Sequence, residues 1–318
     1  MSLTDQLHIK DSNLSRFFRE YEDKAGAKKC LKLLTDTKPI HRPLLPAPTR
    51  AYWSCTGITI DYLIRYIANG NNLLIEETVA GEGWERIPYF EYGNEIQDLQ
   101  AAYSILMNYI GKAYLDGRVV DELAVYSGTA LAVLEGLVRR GQLPRSFSQE
   151  ISSDKISKIE KLPYGTNHFE RKCLWLFDDY CFEELGWESY VQDILRMASI
   201  FTDTTNNLCG ELYGAEFPVL GKSLWYGGHF DLLIKLNEHY ILSDIKASTK
   251  KLEKSSLRQL ISYILSQDTD MDGFNVTDAG IYYARSGAFR YLPNSFLISQ
   301  CLPTFKSLED AKSAFREQ

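Results

Sequence analysis

Residues 211 to 285 abandon the helical period that dominates the chain before them, and that switch constrains the fold more than any other feature. Residues 211–219 predict a short strand. Residues 225–236 predict a second, with Phe230, Leu232 and Ile234 alternating, and residues 239–247 a third, joined to it by a tight connection at 236–239. A helix is expected over 254–267, then a buried apolar strand over 279–285. The order β-β-β-α-β predicts a sheet carrying a crossover helix, hence an α/β class. A last, exposed helix is expected over 308–318.

The chain up to that point reads differently. Ile58, Ile60, Leu63, Ile64 and Ile67 fall near one face of a helix over 57–69. Further helices are expected over 95–114, 120–139, 168–185 and 189–201, the one over 120–139 stopping at Gly141. A proline-rich loop holds Pro39, Pro43, Pro46 and Pro48, and a polar one covers 142–161. No internal repeat is visible. The expected division is a mainly helical region over 1–204 and a sheet-bearing core with a C-terminal helix over 205–318. A chain of 318 residues accommodates about two domains.

Charge and cysteine usage narrow the partners. The net charge of −7 gives no general field for nucleic acid, so any such contact must come from a local basic patch. The polar first ten residues have no apolar core of a signal peptide. The apolar stretch 119–138 is interrupted by Asp121, Glu122 and Glu135, which predicts a buried helix and no membrane span. The six cysteines show no C-x-x-C spacing, so reduced thiols and a cytoplasmic location are expected.

The chemistry-bearing segment runs through the second and third expected strands. Asp231 lies in one and Asp244-Ile-Lys246 in the next. Residues two apart on a strand share a face, so Asp244 and Lys246 project together, and an adjacent antiparallel strand can bring Asp231 beside them. Two close carboxylates repel one another and favour a hard divalent cation held by oxygen ligands, Mg2+ or Mn2+ rather than zinc. A lysine on the same face can position a water for attack on a phosphodiester. Acid-x-Lys triplets also occur at Glu22, Asp36, Glu170 and Asp310. Only the one at Asp244 ends an alternating apolar strand that follows another strand with a central aspartate.

In this order the residues resemble the PD-(D/E)xK phosphodiesterase superfamily, most closely its RecB-like nuclease branch. Glu216 in Ala-Glu-Phe-Pro comes first, then Gly228-His-Phe-Asp231, then Asp244-Ile-Lys246, then Gln259-Leu-Ile-Ser-Tyr263 on the following helix. The match covers about a quarter of the chain. It implies a restriction-endonuclease-like mixed sheet, in which Asp231, Asp244 and Glu216 hold the metal with help from the carbonyl of Ile245. Lys246 would position the attacking water, and Gln259 and Tyr263 would support the site or touch the nucleic-acid backbone. The branch's upstream histidine ligand has no clear counterpart, His168 and the neighbourhood of Glu95 being the positions considered. With only Cys301 near the C-terminus, no iron–sulfur cluster is expected.

Lys250, Lys251, Lys254 and Arg258 follow the triplet with Glu253 as the one acid among them. They are expected to hold phosphates beside the metal, DNA rather than RNA. A solvated helix face is the plainer alternative, as core packing is for Tyr282, Tyr283, Phe289 and Tyr291. No phosphate-binding loop, G-x-G-x-x-G, H-E-x-x-H or G-x-S-x-G is present, so any motor activity would come from a helicase or ATPase partner. The rival expectation is a non-catalytic nuclease fold that binds nucleic acid or docks in a larger complex.

Overall fold

The computed structural model describes residues 6–7, 9–37, 50–68, 78–81, 187–207, 211–218 and 229–317, with single positions between 120 and 135; for 50–54, 187–188, 206–207, 211–218, 229 and 270–271 it describes the backbone. The chain divides into two compact units. One combines Met1–His41 with Ile200–Gln318, and the other is Arg42–Ser199. This corrects the division expected at 204: the first 41 residues belong with the sheet, and the helical region is an insertion between two parts of one unit.

The sheet has five strands in the order of the sequence: β1 (Glu211–Pro218), β2 (His229–Leu236), β3 (His239–Lys246), β4 (Val276–Tyr283) and β5 (Ala288–Pro293). β1 and β2 pair antiparallel, as do β2 and β3; β3 and β4 are parallel, and β5 returns antiparallel to β4. The sheet is therefore mixed, and its one parallel pair is the one joined by a helical crossover, within an α/β architecture. At the β2–β3 turn Asn237 takes a left-handed φ of 56°, a conformation asparagine tolerates better than most residues. β3 and β4 sit centrally and are buried almost throughout, which explains their continuous apolar character. The crossover between them is α5 (Lys254–Ser266), followed by the single turn α6 (Thr269–Asp272).

β5 and the helix after it, α7 (Asn294–Cys301), were not anticipated from sequence. The turn into β5 uses Gly287 at φ 64°, a position where Cβ would also meet the Thr204 hydroxyl at 2.5 Å.

One face of the sheet carries a helical layer assembled from both ends of the chain. Two short helices, α1 (Asn13–Tyr21) and α2 (Lys24–Leu34), begin at caps spelled out locally. The Ser12 hydroxyl accepts from Ser15 N at 3.0 Å, and the Asp23 carboxylate accepts from Gly26 N at 2.6 Å. Leu14, Phe17 and Phe18 line the buried side of α1, at i, i+3 and i+4. They share a core with Leu233, Leu242, Ile281, Leu260, Ile264, Leu297 and Phe315. Phe17 meets Phe315 edge-on, with ring centroids 5.2 Å apart.

The last helix, α8 (Leu308–Arg316), is amphipathic and not exposed as expected. It starts at Ser307, whose hydroxyl accepts from Asp310 N at 3.1 Å, and it buries Ala311, Lys312 and Phe315.

In the second unit, α3 (Arg50–Ala68) buries Ile60, Leu63 and Ile64, matching the predicted stripe, while Ile58 and Ile67 are only partly covered. Another long helix, α4 (Trp187–Asn207), contains the segment predicted over 189–201; its residues from Ile200 onward are counted with the first unit. Within the unit the Tyr190 hydroxyl donates to Thr59 Oγ1 at 2.8 Å, and the Tyr62 hydroxyl donates to Glu135 at 2.9 Å. These contacts satisfy polar groups that burial would otherwise make costly. The helices predicted over 95–114 and 168–185 lie outside the described residues.

Candidate functional site

β2 and β3 make their last pair at Leu232 and Ser243. The next residue outward on β2 is Asp231. Its Oδ2 accepts from Ile245 N at 2.7 Å, so a carboxylate takes the place that a backbone carbonyl would occupy if the ladder continued. That contact fixes Asp231 beside Asp244, the position the alternation argument assigned to it.

Asp244 is 4% exposed. Its Oδ2 lies 2.5 Å from Lys246 Nζ, a close ion pair. Burial pushes the Asp244 carboxyl up to about 6; Lys246 pulls it down, and Asp231 adds to the rise. Lys246 stands at the strand end with its side chain 28% exposed, so its ammonium reaches both the buried acid and the surface. Asp244 and Lys246 thus share a face, as their spacing requires.

Glu216 lies on β1, which pairs Ala215 with Leu232 and Phe217 with Phe230. That register sets Glu216 directly across from Asp231 at the backbone level. Three acids therefore occupy neighbouring positions on three adjacent strands, where Cβ atoms of opposed residues lie about 5 Å apart. Ile245 is 9% exposed and its N–H is engaged by Asp231. Among the described residues no group of three His, Cys, Asp or Glu side chains is placed to hold a metal ion. Asp231 and Asp244 offer two carboxylates, of which Asp244 is buried and faces the Lys246 ammonium. A hard cation with oxygen ligands fits that donor set, and a third ligand would have to come from Glu216. His168 and Glu95 lie outside the described residues.

The basic cluster behaves differently from expectation. Lys250 and Lys251 are exposed on the loop after β3. Lys254 and Arg258, however, turn to Glu22 at the end of α1. Lys254 Nζ lies 2.5 Å from its Oε2, and Arg258 grips it with two nitrogens at 2.7 and 3.1 Å. The Glu22 side chain is 2% exposed and Arg258 also stacks on Phe18, so this is a structural clamp. Both side chains thus hold the start of α5 against the end of α1.

Tyr263 is 4% exposed and packs against Phe230, a supporting position and not a surface one. Its hydroxyl accepts from Gln259 Nε2 at 3.0 Å, which couples the two members of the helical motif to each other. Of the candidate stacking aromatics, Tyr282 and Tyr283 are buried and Tyr291 is 44% exposed.

Several groups around the site escape sequence reasoning. Arg285 is buried and donates from Nε to the Ala247 carbonyl at 2.6 Å, fixing the chain just beyond Lys246. Asp36 accepts from the Ser286 hydroxyl at 2.5 Å and from Arg290 at 3.3 Å, bracing the β4–β5 turn. The Tyr283 hydroxyl donates to the Leu34 carbonyl at 2.9 Å, and Tyr283 is the register partner of Lys246. The contacts of Asp36 and Leu34 join residues about 250 positions apart, and no local pattern announces them. No protein-family model matches the sequence, and comparison with curated proteins gives no match.

Proposed function

We propose that the sheet unit is a restriction-endonuclease-like core and that the protein is a metal-dependent phosphodiesterase, a nuclease acting on DNA rather than RNA. The observation that carries this reading is the convergence of Asp231, Asp244 and Lys246 at the diverging ends of β2 and β3. An acidic pair of this kind, one member buried at 4% exposure, is costly without a cation. Asp231, Asp244 and Glu216 would hold Mg2+ or Mn2+. The bound ion would supply charge neutralisation at the phosphate and activation of a water. Lys246 would orient that water and offset charge that develops on the phosphate oxygens. Ile245 N keeps Asp231 in place, while Gln259 and Tyr263 hold the helix that backs the site. Lys250 and Lys251 remain to meet the phosphate backbone.

Incubation of the purified protein with DNA and Mg2+ tests the assignment. Cleavage is expected from wild type and is lost in Asp231→Asn and Lys246→Ala. Equal activity in wild type and Lys246→Ala would remove the site from consideration.

A second reading has one observation in its favour. With Lys254 and Arg258 spent on Glu22, less basic surface is left for a nucleic-acid duplex. On that reading the fold serves binding or docking without turnover, and a helicase or ATPase partner is the kind of complex it would join. Thermal melting separates the two. A working site gains stability from Mg2+ or Mn2+ and loses that gain in Asp231→Asn, whereas a docking module melts at the same temperature with or without the ion.

A further inference from the structure

β2 leaves β3 just before the motif begins. Their last pair is Leu232 with Ser243, and beyond it Ile245 N bonds to the Asp231 carboxylate and not to a strand carbonyl. On the other side β4 continues, pairing Tyr283 with Lys246, and Ala284 N donates to the Lys246 carbonyl at 3.0 Å. Lys246 is the last residue of β3. The end of a strand frays unless the next residue is also held. Here the next residue is the buried Ala247, whose carbonyl accepts from Arg285 Nε at 2.6 Å.

Arg285 holds that carbonyl from a rigid base. Arginine is rarely buried as fully as this one unless its nitrogens are engaged. It sits in the tight turn between β4 and β5, where Ser286 N and Gly287 N both donate to the Tyr283 carbonyl, at 3.1 and 2.9 Å. The turn is fixed on two sides. The Tyr283 and Ser286 hydroxyls donate to the Leu34 carbonyl and the Asp36 carboxylate, around the end of α2. The Gly287 carbonyl faces the Thr204 hydroxyl of α4 at 3.4 Å. A planar guanidinium projecting from such a turn carries its rigidity to whatever it binds.

We propose that Arg285 is a positioning residue for Lys246. By fixing the Ala247 carbonyl it sets the direction in which the Lys246 side chain leaves the strand, toward Asp244 and the place of the attacking water. Its effect runs through the lysine. The proposal rests on the reading of Asp231, Asp244 and Lys246 as a nuclease site. A reacting group displaced by about 1 Å can lose about a hundredfold in rate, so one backbone bond at this place reaches the chemistry.

The test is the kinetics of Arg285→Met and Arg285→Lys in the full chain, on a defined DNA oligonucleotide with Mg2+, each alone and combined with Lys246→Ala. Methionine keeps much of the side-chain length without a donor. Lysine keeps the charge, but its nitrogen falls one bond beyond the place of Nε. Arg285→Met is expected to lower kcat about tenfold or more and Arg285→Lys about threefold or more, with KM within about twofold of wild type. In the Lys246→Ala background neither is expected to lower kcat further, because the group it misplaces is gone. A residue that served only the fold would add its cost in both backgrounds. Circular dichroism melting identifies the variants that fold, and Arg285→Lys decides if Arg285→Met does not. A folded variant with wild-type kcat, a raised KM at unchanged kcat, full additivity with Lys246→Ala, or failure of both variants to fold each overturn the proposal. A wild type that does not cut DNA overturns the nuclease reading itself, and this proposal with it.

Discussion

A carboxylate at 4% exposure beside a second aspartate needs a proton, a lysine or a cation to be tolerated, and at Asp244 these compete. Its folded pKa of about 6 lies above its ordinary value of 3.8. The folded state therefore holds the proton more tightly than the unfolded chain. The associated stability is fully present below about pH 4 and is lost as pH rises through about 6, a change on the order of 3 kcal/mol. Without divalent cation, Asp244→Asn is thus expected to melt higher than wild type at pH 7, and to lack wild type's decline between pH 4 and 6. Calorimetry across that range checks this. A variant that melts lower at pH 7 would mean that the pair with Lys246 outweighs the burial. Lys246→Ala is expected to reduce Mg2+-dependent cleavage about a hundredfold or more, read as kcat on a defined oligonucleotide, while Asp244 stays in place.

At the level of elements, α5 is held at its start by a residue far away in sequence. Glu253 at its N-cap makes no side-chain cap bond, and Glu22 takes the two basic residues of the first turns instead. Glu22→Gln is expected to lower stability by about 1 to 3 kcal/mol in urea titration. The estimate is kept small because Lys254 and Arg258 retain access to water. Gly26→Ala is expected to be severe for its size, costing about 2 kcal/mol or more, because the Gln300 backbone cannot yield as a flexible side chain would.

The strands were legible because alternation and apolar runs are local signals: β1, β2 and β3 and the crossover helix fall within a few residues of where periodicity set them. β5 was not, since Phe289, Arg290 and Tyr291 mix burial classes over six residues with no clean period. The pairing of Asp231 with Asp244-x-Lys246 followed from strand geometry. The loss of Lys254 and Arg258 to Glu22 did not, because a charge run carries no information about a partner 236 residues away. Nor does an amphipathic pattern such as that of α8 say which surface it covers.

For the molecule as a whole, the core draws on both ends of the chain. Phe17, Phe18 and Leu34 pack with Leu260, Ile281 and Phe315. A fragment beginning at residue 205 contains every strand but lacks α1 and α2, and it is expected not to show a cooperative urea transition. Supplying residues 1–41 as a separate peptide should restore one, with circular dichroism as the readout. Independent folding of the fragment would show that the N-terminal helices are accessory.

This arrangement also sets an order of events during synthesis. The helices at Asn13–Tyr21 and Lys24–Leu34 leave the ribosome with apolar faces whose partners are still untranslated. Arg42–Ser199 must be made in between, which at cellular elongation rates is a wait of roughly 10 to 30 s. For that interval Leu14, Phe17 and Phe18 stand in water or under the cover of a chaperone. The sheet unit thus closes only late in translation, when its final helices bring the two ends together.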